Sequence, residues 1–262
     1  MTLAFLLTLL AGLATGVGGI IATLVRAGNY RFLSFSLGLS AGVMIYISMM
    51  EMLPQANLQL ARELGRERGA WVAVAAFFGG IVLTGIIDRL VPEKVNPHET
   101  DLRPHAEAAR NQSLARTGVV TAAAVALHNF PEGFATFISA LEDPQLGIPI
   151  AIAVGIHNIP EGIAVAVPIH QATGSRRKGI VAAWLSGLAE PIGAVVGYLL
   201  LRPFLSETTL GITFGVVAGI MVFISFDELL PAAREYGEHH LSVYGLIVGM
   251  AVMALSLLLL LM

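Results

Sequence analysis

The amino-acid sequence predicts an all-α membrane protein with eight transmembrane helices, because the chain is strongly apolar, poor in charge and divided into helix-length segments. Of its 262 residues, 56% are hydrophobic and only 13% are charged, and the mean hydropathy is +0.78. Soluble domains carry about 25% charged residues. Lipid is therefore the expected solvent, and no nucleic-acid partner is expected. The chain has no Cys, which excludes disulfides and thiolate metal sites.

Eight apolar segments have the length that a membrane crossing requires, which is about 20 residues. The predicted spans are about 3–25, 33–54, 70–90, 117–140, 147–169, 179–201, 209–231 and 241–262. No basic residue precedes the first segment, and its apolar run continues to about Val25, so we interpret it as an uncleaved span and not as a signal peptide. The longest connector, 91–116, is predicted to be a polar cytoplasmic loop that contains His98 and His105. Residues 1–262 are thus expected to form one polytopic domain.

The distribution of basic residues predicts the orientation. Eleven of the fifteen Lys and Arg residues fall in the loops after spans 1, 3, 5 and 7, and four fall in the loops after spans 2, 4 and 6. Loops rich in Lys and Arg stay in the cytoplasm. Both termini should therefore lie outside, and the expected location is the bacterial inner membrane.

An internal repeat relates the two halves of the chain. Residues 41–56 align without gaps to residues 218–233, with nine identities in sixteen positions. Because spans 2 and 7 cross the membrane in opposite directions, this similarity indicates an inverted repeat. A weaker similarity relates residues 12–15 to residues 187–190. Together they predict a 3+2+3 arrangement, in which spans 1–3 mirror spans 6–8 around a central pair.

The central pair carries a duplicated polar motif. Residues 128–133 read HNFPEG and residues 157–162 read HNIPEG. A His and a Glu four residues apart lie on the same face of a helix, so each helix should present an imidazole, an amide and a carboxylate in one patch. Pro131 and Pro160 each leave a backbone carbonyl without its helical partner. Within a membrane such a carbonyl must be buried in protein or line a wet cavity.

Three carboxylates, those of Glu132, Glu161 and Glu190, lie inside apolar spans in which no Lys or Arg accompanies them. Each ionised carboxylate costs at least about 2.5–3.5 kcal/mol near the centre of a bilayer, which makes roughly 8–10 kcal/mol for the three. The compensation must come from protons, water or a bound cation.

The types of side chain select the cation. Imidazole suits zinc, iron, nickel and copper. The first predicted site combines two imidazoles with two carboxylates, enough for tetrahedral zinc: His128, Glu132, His157 and Glu161. The second predicted site shares those two carboxylates and adds Asn129, Asn158 and Glu190. Two divalent ions against the three carboxylates would leave one positive charge and one ion would leave one negative charge, so the residues leave both occupancies open; the metal is expected as cargo and not as a catalytic cofactor. The residues do not rank Zn²⁺ against Fe²⁺, Mn²⁺, Co²⁺ or Cd²⁺.

Acidic residues are also expected at the two mouths of the pathway. Glu51 and Glu228 occupy the same repeat position, three residues before a proline. Glu51 should lie near the outer end of span 2 and Glu228 near the inner end of span 7, where a carboxylate would concentrate cations. We expect Asp227, His239 and His240 to assist at the inner mouth. The alternative is that each Glu only caps polar groups at a helix end.

The two motifs, together with SGLAE before Pro191, closely resemble the ZIP (Zrt/Irt-like) family of zinc–iron permeases, and most of all its bacterial zinc-uptake subgroup. The resemblance covers essentially the whole chain. It implies eight spans, external termini, frequent homodimers, uptake into the cytoplasm and a binuclear site on the seven residues given above. It also implies that spans 1, 4, 5 and 6 slide against spans 2, 3, 7 and 8. Many family members carry a longer histidine run in the loop after span 3, where this chain has only His98 and His105.

Three other functions compete with zinc uptake. Metal efflux or a passive metal channel could use the same ligands, because ligands do not encode direction, and only the resemblance favours uptake. An intramembrane metalloprotease would need a motif such as HExxH, with a glutamate beside the first histidine. Asn follows His in both motifs, so an enzyme is not expected.

Overall fold

The computed structural model describes residues 1–26, 28–90, 106–204, 206–235 and 239–260, and within these ranges the chain is helical and contains no strand. The prediction of an all-α protein is therefore confirmed. The helices are α1 (Thr2–Ala22), α2 (Tyr30–Ile47), α3 (Leu53–Leu64), α4 (Arg66–Leu90), α5 (Ala106–Glu142), α6 (Pro144–Thr173), α7 (Arg176–Gly187), α8 (Ala189–Leu201), α9 (Glu207–Ile224), α10 (Leu230–Glu235) and α11 (His239–Leu260).

Seven helical stretches of the described residues are long and apolar enough to cross a membrane. The predicted span 117–140 lies within α5 but is not one of the seven. Helices α5 and α6 carry the same polar motif. However, the seven residues before the motif are TAAAVAL in α5 and IAIAVGI in α6, and the sequence in α5 is the less apolar of the two. Residues 91–105 of the predicted loop, with His98 and His105, lie outside the described residues, and α5 already begins at Ala106.

Two π-helical turns extend helices beyond their predicted ends. Ser48–Met52 joins α2 to α3, and Ser225–Leu229 joins α9 to α10. These turns occupy the same positions in the aligned segments 41–56 and 218–233, and each lies directly before the helix that contains Pro54 or Pro231. A proline has no N–H to donate, and a wider turn is one way to accommodate that loss. The helical stretch that contains predicted span 2 therefore continues beyond residue 54, to Leu64.

The predicted span 179–201 coincides with one of the seven stretches, Arg176–Leu200, which is interrupted and consists of two helices. Helix α7 ends at Gly187, Leu188 lies between the helices, and α8 begins at Ala189. Pro191 falls in the first turn of α8, where a proline costs no hydrogen bond. The break gives Glu190 a place at the N-terminus of a helix, in the interior of the protein.

The helices pack in two bundles. The α2 bundle consists of α2, α3, α4, α9, α10 and α11, and the α1 bundle consists of α1, α5, α6, α7 and α8. In the first bundle α2 packs mainly on α11 and α4 on α9, whereas in the second α1 packs on α6 and α5 on both α6 and α8. The bundles meet mainly where α2 contacts α6 and where α5 contacts α9. The polar motifs therefore lie in the α1 bundle, on helices that also face the other bundle.

Glycines bring the paired helices into close contact. At Gly80 of α4, an added methyl group would collide with the carbonyl oxygen of Val216 on α9. At the neighbouring Gly79, nothing lies within 4 Å of the added carbon. Two adjacent glycines on one helix thus differ only in the contact that they make.

We predict that Gly80→Ala destabilises the protein and that Gly79→Ala does not. Overpacking typically costs about 1–3 kcal/mol, whereas alanine at an open helical position is slightly favourable. Denaturant-induced unfolding of the purified protein in detergent measures the difference. Equal stability of the two variants would contradict the close contact between α4 and α9.

Candidate metal centre

The seven predicted ligands are brought together in the interior of the α1 bundle. Those on α5 are His128, Asn129 and Glu132, those on α6 are His157, Asn158 and Glu161, and α8 adds Glu190. Every one of them is 0% exposed. Polar side chains with no access to solvent must find their partners within the protein.

The histidines and glutamates pair between the helices. His128 Nε2 lies 2.9 Å from Glu161 Oε1, and His157 Nε2 lies 3.0 Å from Glu132 Oε1. The sequence predicted that the His and Glu of each motif share a face of their own helix. The structure adds that each imidazole contacts the carboxylate of the other helix, so the four side chains form one cluster.

Both imidazoles are oriented by backbone carbonyls. His128 Nδ1 lies 3.2 Å from the oxygen of Ala124, and His157 Nδ1 lies 3.1 Å from the oxygen of Ala153. A carbonyl only accepts hydrogen bonds, so each Nδ1 carries a hydrogen. Each Nε2 then faces a carboxylate oxygen, and a proton or a cation must lie between the two acceptors. This arrangement of a histidine, with one nitrogen bonded to the protein and the other directed at the site, is typical of metal ligands.

The two asparagines bind different partners. Asn158 Nδ2 donates to Glu190 Oε1 and also, over 2.9 Å, to the carbonyl oxygen of Ala11 on α1. Asn129 Nδ2 donates over 3.4 Å to the carbonyl oxygen of Ser186 on α7. The predicted second site therefore has Asn158 and Glu190 in direct contact, whereas Asn129 bonds to α7. Because Glu190 lies in the first turn of α8, the helix dipole favours its negative charge.

The last residue of each motif lets a third helix approach. A Cβ at Gly133 would collide with the carbonyl oxygen of Glu190, and a Cβ at Gly162 would collide with the carbonyl oxygen of Thr15. Only glycine permits this distance between backbones. The glycines therefore bring α8 and α1 close to the polar cluster.

Several acceptors at the centre have no hydrogen-bond partner. They are Asn129 Oδ1, Asn158 Oδ1, both oxygens of Glu132, Glu161 Oε2 and Glu190 Oε2, and His157 Nε2 also lacks one although it lies 3.0 Å from Glu132 Oε1. Leaving a buried acceptor unpaired typically costs about 1–3 kcal/mol. Converging unpaired oxygens suit a cation. Among the described residues, however, no three His, Asp or Glu side chains already have the geometry of a metal site.

The residues predicted at the mouths lie near two cavities of unequal size. Glu51 lines a cavity of about 30 Å³ together with Thr136 and Ala153. Glu228 lines a cavity of about 360 Å³, whose wall includes Leu127 and Pro131.

Both glutamates belong to the π-helical turns described above, and Asp227 lies beside Glu228 in the second of them. His239 and His240 begin α11, where the His240 ring stacks on Tyr244 at a centroid distance of 6.3 Å.

Sequence reasoning missed one buried polar side chain, which lies against Gly187 at the end of α7. Thr15 of α1 is 0% exposed, and its hydroxyl has no hydrogen-bond partner. The weak similarity between residues 12–15 and 187–190, which aligns Thr15 with Glu190, was the signal that could have found it.

The fold and the centre define a multi-pass helical membrane protein with a buried cluster of imidazoles, amides and carboxylates. Comparison with known proteins is more specific. A model described as ZIP Zinc transporter matches residues 88–257, and the chain belongs to this family. It is therefore a member of a transporter family and not of an enzyme family, as the sequence predicted.

Similar curated proteins span nearly the whole chain. Zinc transporter ZupT of Oceanobacillus iheyensis is 58% identical over 264 residues, covering 99% of this chain and 98% of that protein. The protein of the same name from Streptococcus mutans is 57% identical over 256 residues, with 98% and 97% covered. That from Chlorobium luteolum is 59% identical over 259 residues, also with 98% and 97% covered.

We predict that His128 and Glu161 are energetically coupled in the metal-free protein. His128→Ala and Glu161→Ala, made singly and together, should show a coupling free energy of about 0.5–3 kcal/mol, as contacting residues do. Unfolding in the presence of a chelator measures it. Glu142, exposed at the end of α5, provides the control partner, and its pairing with His128 should be additive within about 0.5 kcal/mol. Additivity of the His128 and Glu161 variants would contradict the crossed pair.

Proposed function

We propose that this chain takes up divalent transition metals, with Zn²⁺ as the main substrate, and delivers them to the cytoplasm through a binuclear site on α5, α6 and α8. The observation that carries the proposal is the cluster of two imidazoles and three carboxylates, fully buried and with several oxygens unpaired. The names of the relatives agree with zinc as the substrate. Fe²⁺, Mn²⁺, Co²⁺ and Cd²⁺ are further candidates, because nitrogen and oxygen ligands accept all of them.

The first ion would lie between the crossed pairs and bind His128, His157, Glu132 and Glu161. Zn–N and Zn–O distances of about 2.0–2.1 Å imply about 3.3 Å between tetrahedral ligands. The observed separations of 2.9 and 3.0 Å are shorter, so each pair would open by about 0.3–0.4 Å to admit the metal. A small movement of side chains is therefore sufficient, and the ion would take the position between each Nε2 and its carboxylate.

The second ion would bind Asn129, Asn158 and Glu190 and share Glu132 and Glu161 with the first. The contact between Asn158 and Glu190 supports this grouping. Two divalent ions against three carboxylates leave one positive charge, whereas one ion leaves one negative charge. The net charge of the centre is therefore one unit in either case, and a polar cavity can accommodate it.

Entry and exit would use the two π-helical turns. Glu51 would collect ions at the outer mouth, and Glu228 with Asp227 would receive them at the inner mouth, before His239 and His240. In support, the two glutamates occupy matching turns, and each lines a cavity against α5. Such turns are frequent at functional sites.

The proposed topology has eight spans, with α5 as the additional one, an inverted 3+2+3 repeat and both termini outside. The α1 bundle would slide against the α2 bundle, a motion that suits the division of helix contacts between the bundles. We further propose that the protein is a homodimer in the bacterial inner membrane. Efflux and passive conduction through the same centre are the alternatives, and the relatives do not decide between them.

We predict that Glu132→Ala and Glu161→Ala each lower zinc uptake at least tenfold, because both carboxylates would serve both ions. Loss of one ligand typically costs more than about 1.4 kcal/mol, the equivalent of that factor. Accumulation of zinc in proteoliposomes, with and without a proton gradient, measures the effect and the direction.

Glu142→Ala, at the exposed end of α5, removes the same chemical group outside the centre and should leave uptake unchanged. Near-normal uptake by both variants of the centre would refute the assignment.

We predict that the two ends of α6 face opposite sides of the membrane. Gln145 and Thr173 are exposed near its two ends, and the absence of Cys permits single Cys substitutions at each. An impermeant thiol reagent added to intact cells should label Gln145→Cys and spare Thr173→Cys until the membrane is opened. Labelling of Thr173→Cys alone would invert the topology, and labelling of both would exclude α6 as a span.

A further inference from the structure

Helices α1 and α8 contact the two motif helices in matching ways. Asn158 donates to the carbonyl oxygen of Ala11, and Asn129 donates to that of Ser186. The alignment that pairs Gly12 with Gly187 also pairs Ala11 with Ser186, because these residues directly precede the two glycines. The hydrogen bonds of the two asparagines are therefore equivalent under one alignment.

The glycine contacts obey the same alignment. Gly162 lies against the carbonyl oxygen of Thr15, and Gly133 lies against that of Glu190. Likewise Gly18 lies against the carbonyl oxygen of Ile159, and Gly193 against that of Phe130. Helix α1 is thus seated on α6 as α8 is seated on α5.

In this alignment Thr15 of α1 occupies the position of Glu190 of α8. The side chain of Thr15 lies against Gly187, and the side chain of Glu190 lies against Gly12. Glu190 accepts a hydrogen bond from Asn158. The matching position beside Asn129 carries a threonine, whose shorter side chain has a hydroxyl in place of the carboxylate.

Thr15 and two α5 residues of the centre carry oxygens without hydrogen-bond partners. Thr15 Oγ1, Asn129 Oδ1 and Glu132 Oε2 are buried and accept no hydrogen bond. Asn129 and Glu132 are three residues apart on α5 and therefore adjacent on its surface, and α1 packs against α5. One hydroxyl oxygen, one amide oxygen and the second oxygen of the Glu132 carboxylate are thus available without a partner.

We propose that Thr15, Asn129 and Glu132 form a third cation position, the counterpart of the Glu190 position with one carboxylate fewer. Oxygen ligands without nitrogen suit Mn²⁺ better than they suit zinc-type sites, so the position takes an oxygen-preferring divalent ion. Because this position has one carboxylate fewer than the Glu190 position, it binds a cation more weakly. An ion therefore occupies it only in transit. Asn129 and Glu132 serve the neighbouring position before the ion moves.

The inference rests on the proposed function and places two unequal positions along the path through the centre. With the proposed orientation, the chain runs from Gly187 to Glu190 toward the outer side and from Gly12 to Thr15 toward the inner side, and the backbones of Gly12 and Gly187 are in close contact. An ion moving inward then passes from a position with its own carboxylate to one without. The weaker position lies on the side of release.

The test compares variants of Thr15 with variants of Thr8, a fully buried threonine on the same helix whose hydroxyl is bonded to the carbonyl oxygen of Ala4. Thr15→Val should lower the maximal rate of Mn²⁺ uptake into proteoliposomes about fivefold or more, with little change in the zinc affinity of the centre. Thr15→Ser, which keeps the hydroxyl, should recover most of the rate. Thr8→Val should transport as wild type does.

Thr15→Glu supplies the missing carboxylate and gives a second, independent readout. Purified Thr15→Glu protein that still binds zinc should hold one more Mn²⁺ per chain than wild type, counted by electron paramagnetic resonance. A Thr15→Val rate equal to that of Thr8→Val would overturn the transit role. An unchanged Mn²⁺ count in Thr15→Glu would overturn the position itself. Failure of the proposed function would appear differently, as wild-type vesicles that take up no metal.

Discussion

Three carboxylates in the interior of apolar helices are the constraint on which the rest of this structure depends. Glu132, Glu161 and Glu190 are completely buried, and no Lys or Arg of their own spans accompanies them. A membrane protein retains such groups only where other polar groups or ions offset their cost. The crossed contacts with His128 and His157 provide part of that compensation, and a divalent cation would provide the remainder.

The packing of small residues makes this concentration of charge possible. Gly133 and Gly162 let the backbones of α8 and α1 approach the motif helices, so carbonyl groups reach the asparagines that flank the carboxylates. The same glycines give the centre its approximate two-fold arrangement. Thr15 and Glu190 depart from that arrangement, because they place different chemistry at equivalent positions.

Much of the architecture was predictable from sequence, because apolar length and polar motifs leave few alternatives in a membrane. The motif residues were identified as one centre, and the structure buries all of them together. The crossed pairing was not predictable, since periodicity describes one helix and His128 contacts Glu161 on another. The π-helical turns and the break at Leu188 were also missed. They depend on how the backbone accommodates prolines and close neighbours, which hydropathy does not measure.

X-ray absorption spectroscopy of the zinc-loaded protein tests the central claim most directly, because it observes the ligands themselves. The account predicts a shell of nitrogen and oxygen at about 2.0–2.1 Å with outer scattering from imidazole, averaging one imidazole per zinc when two ions are bound. That imidazole signal should disappear in His128→Ala/His157→Ala. Zinc bound without imidazole scattering, or with an unchanged signal in the double variant, would contradict a metal centre at the crossed His–Glu pairs.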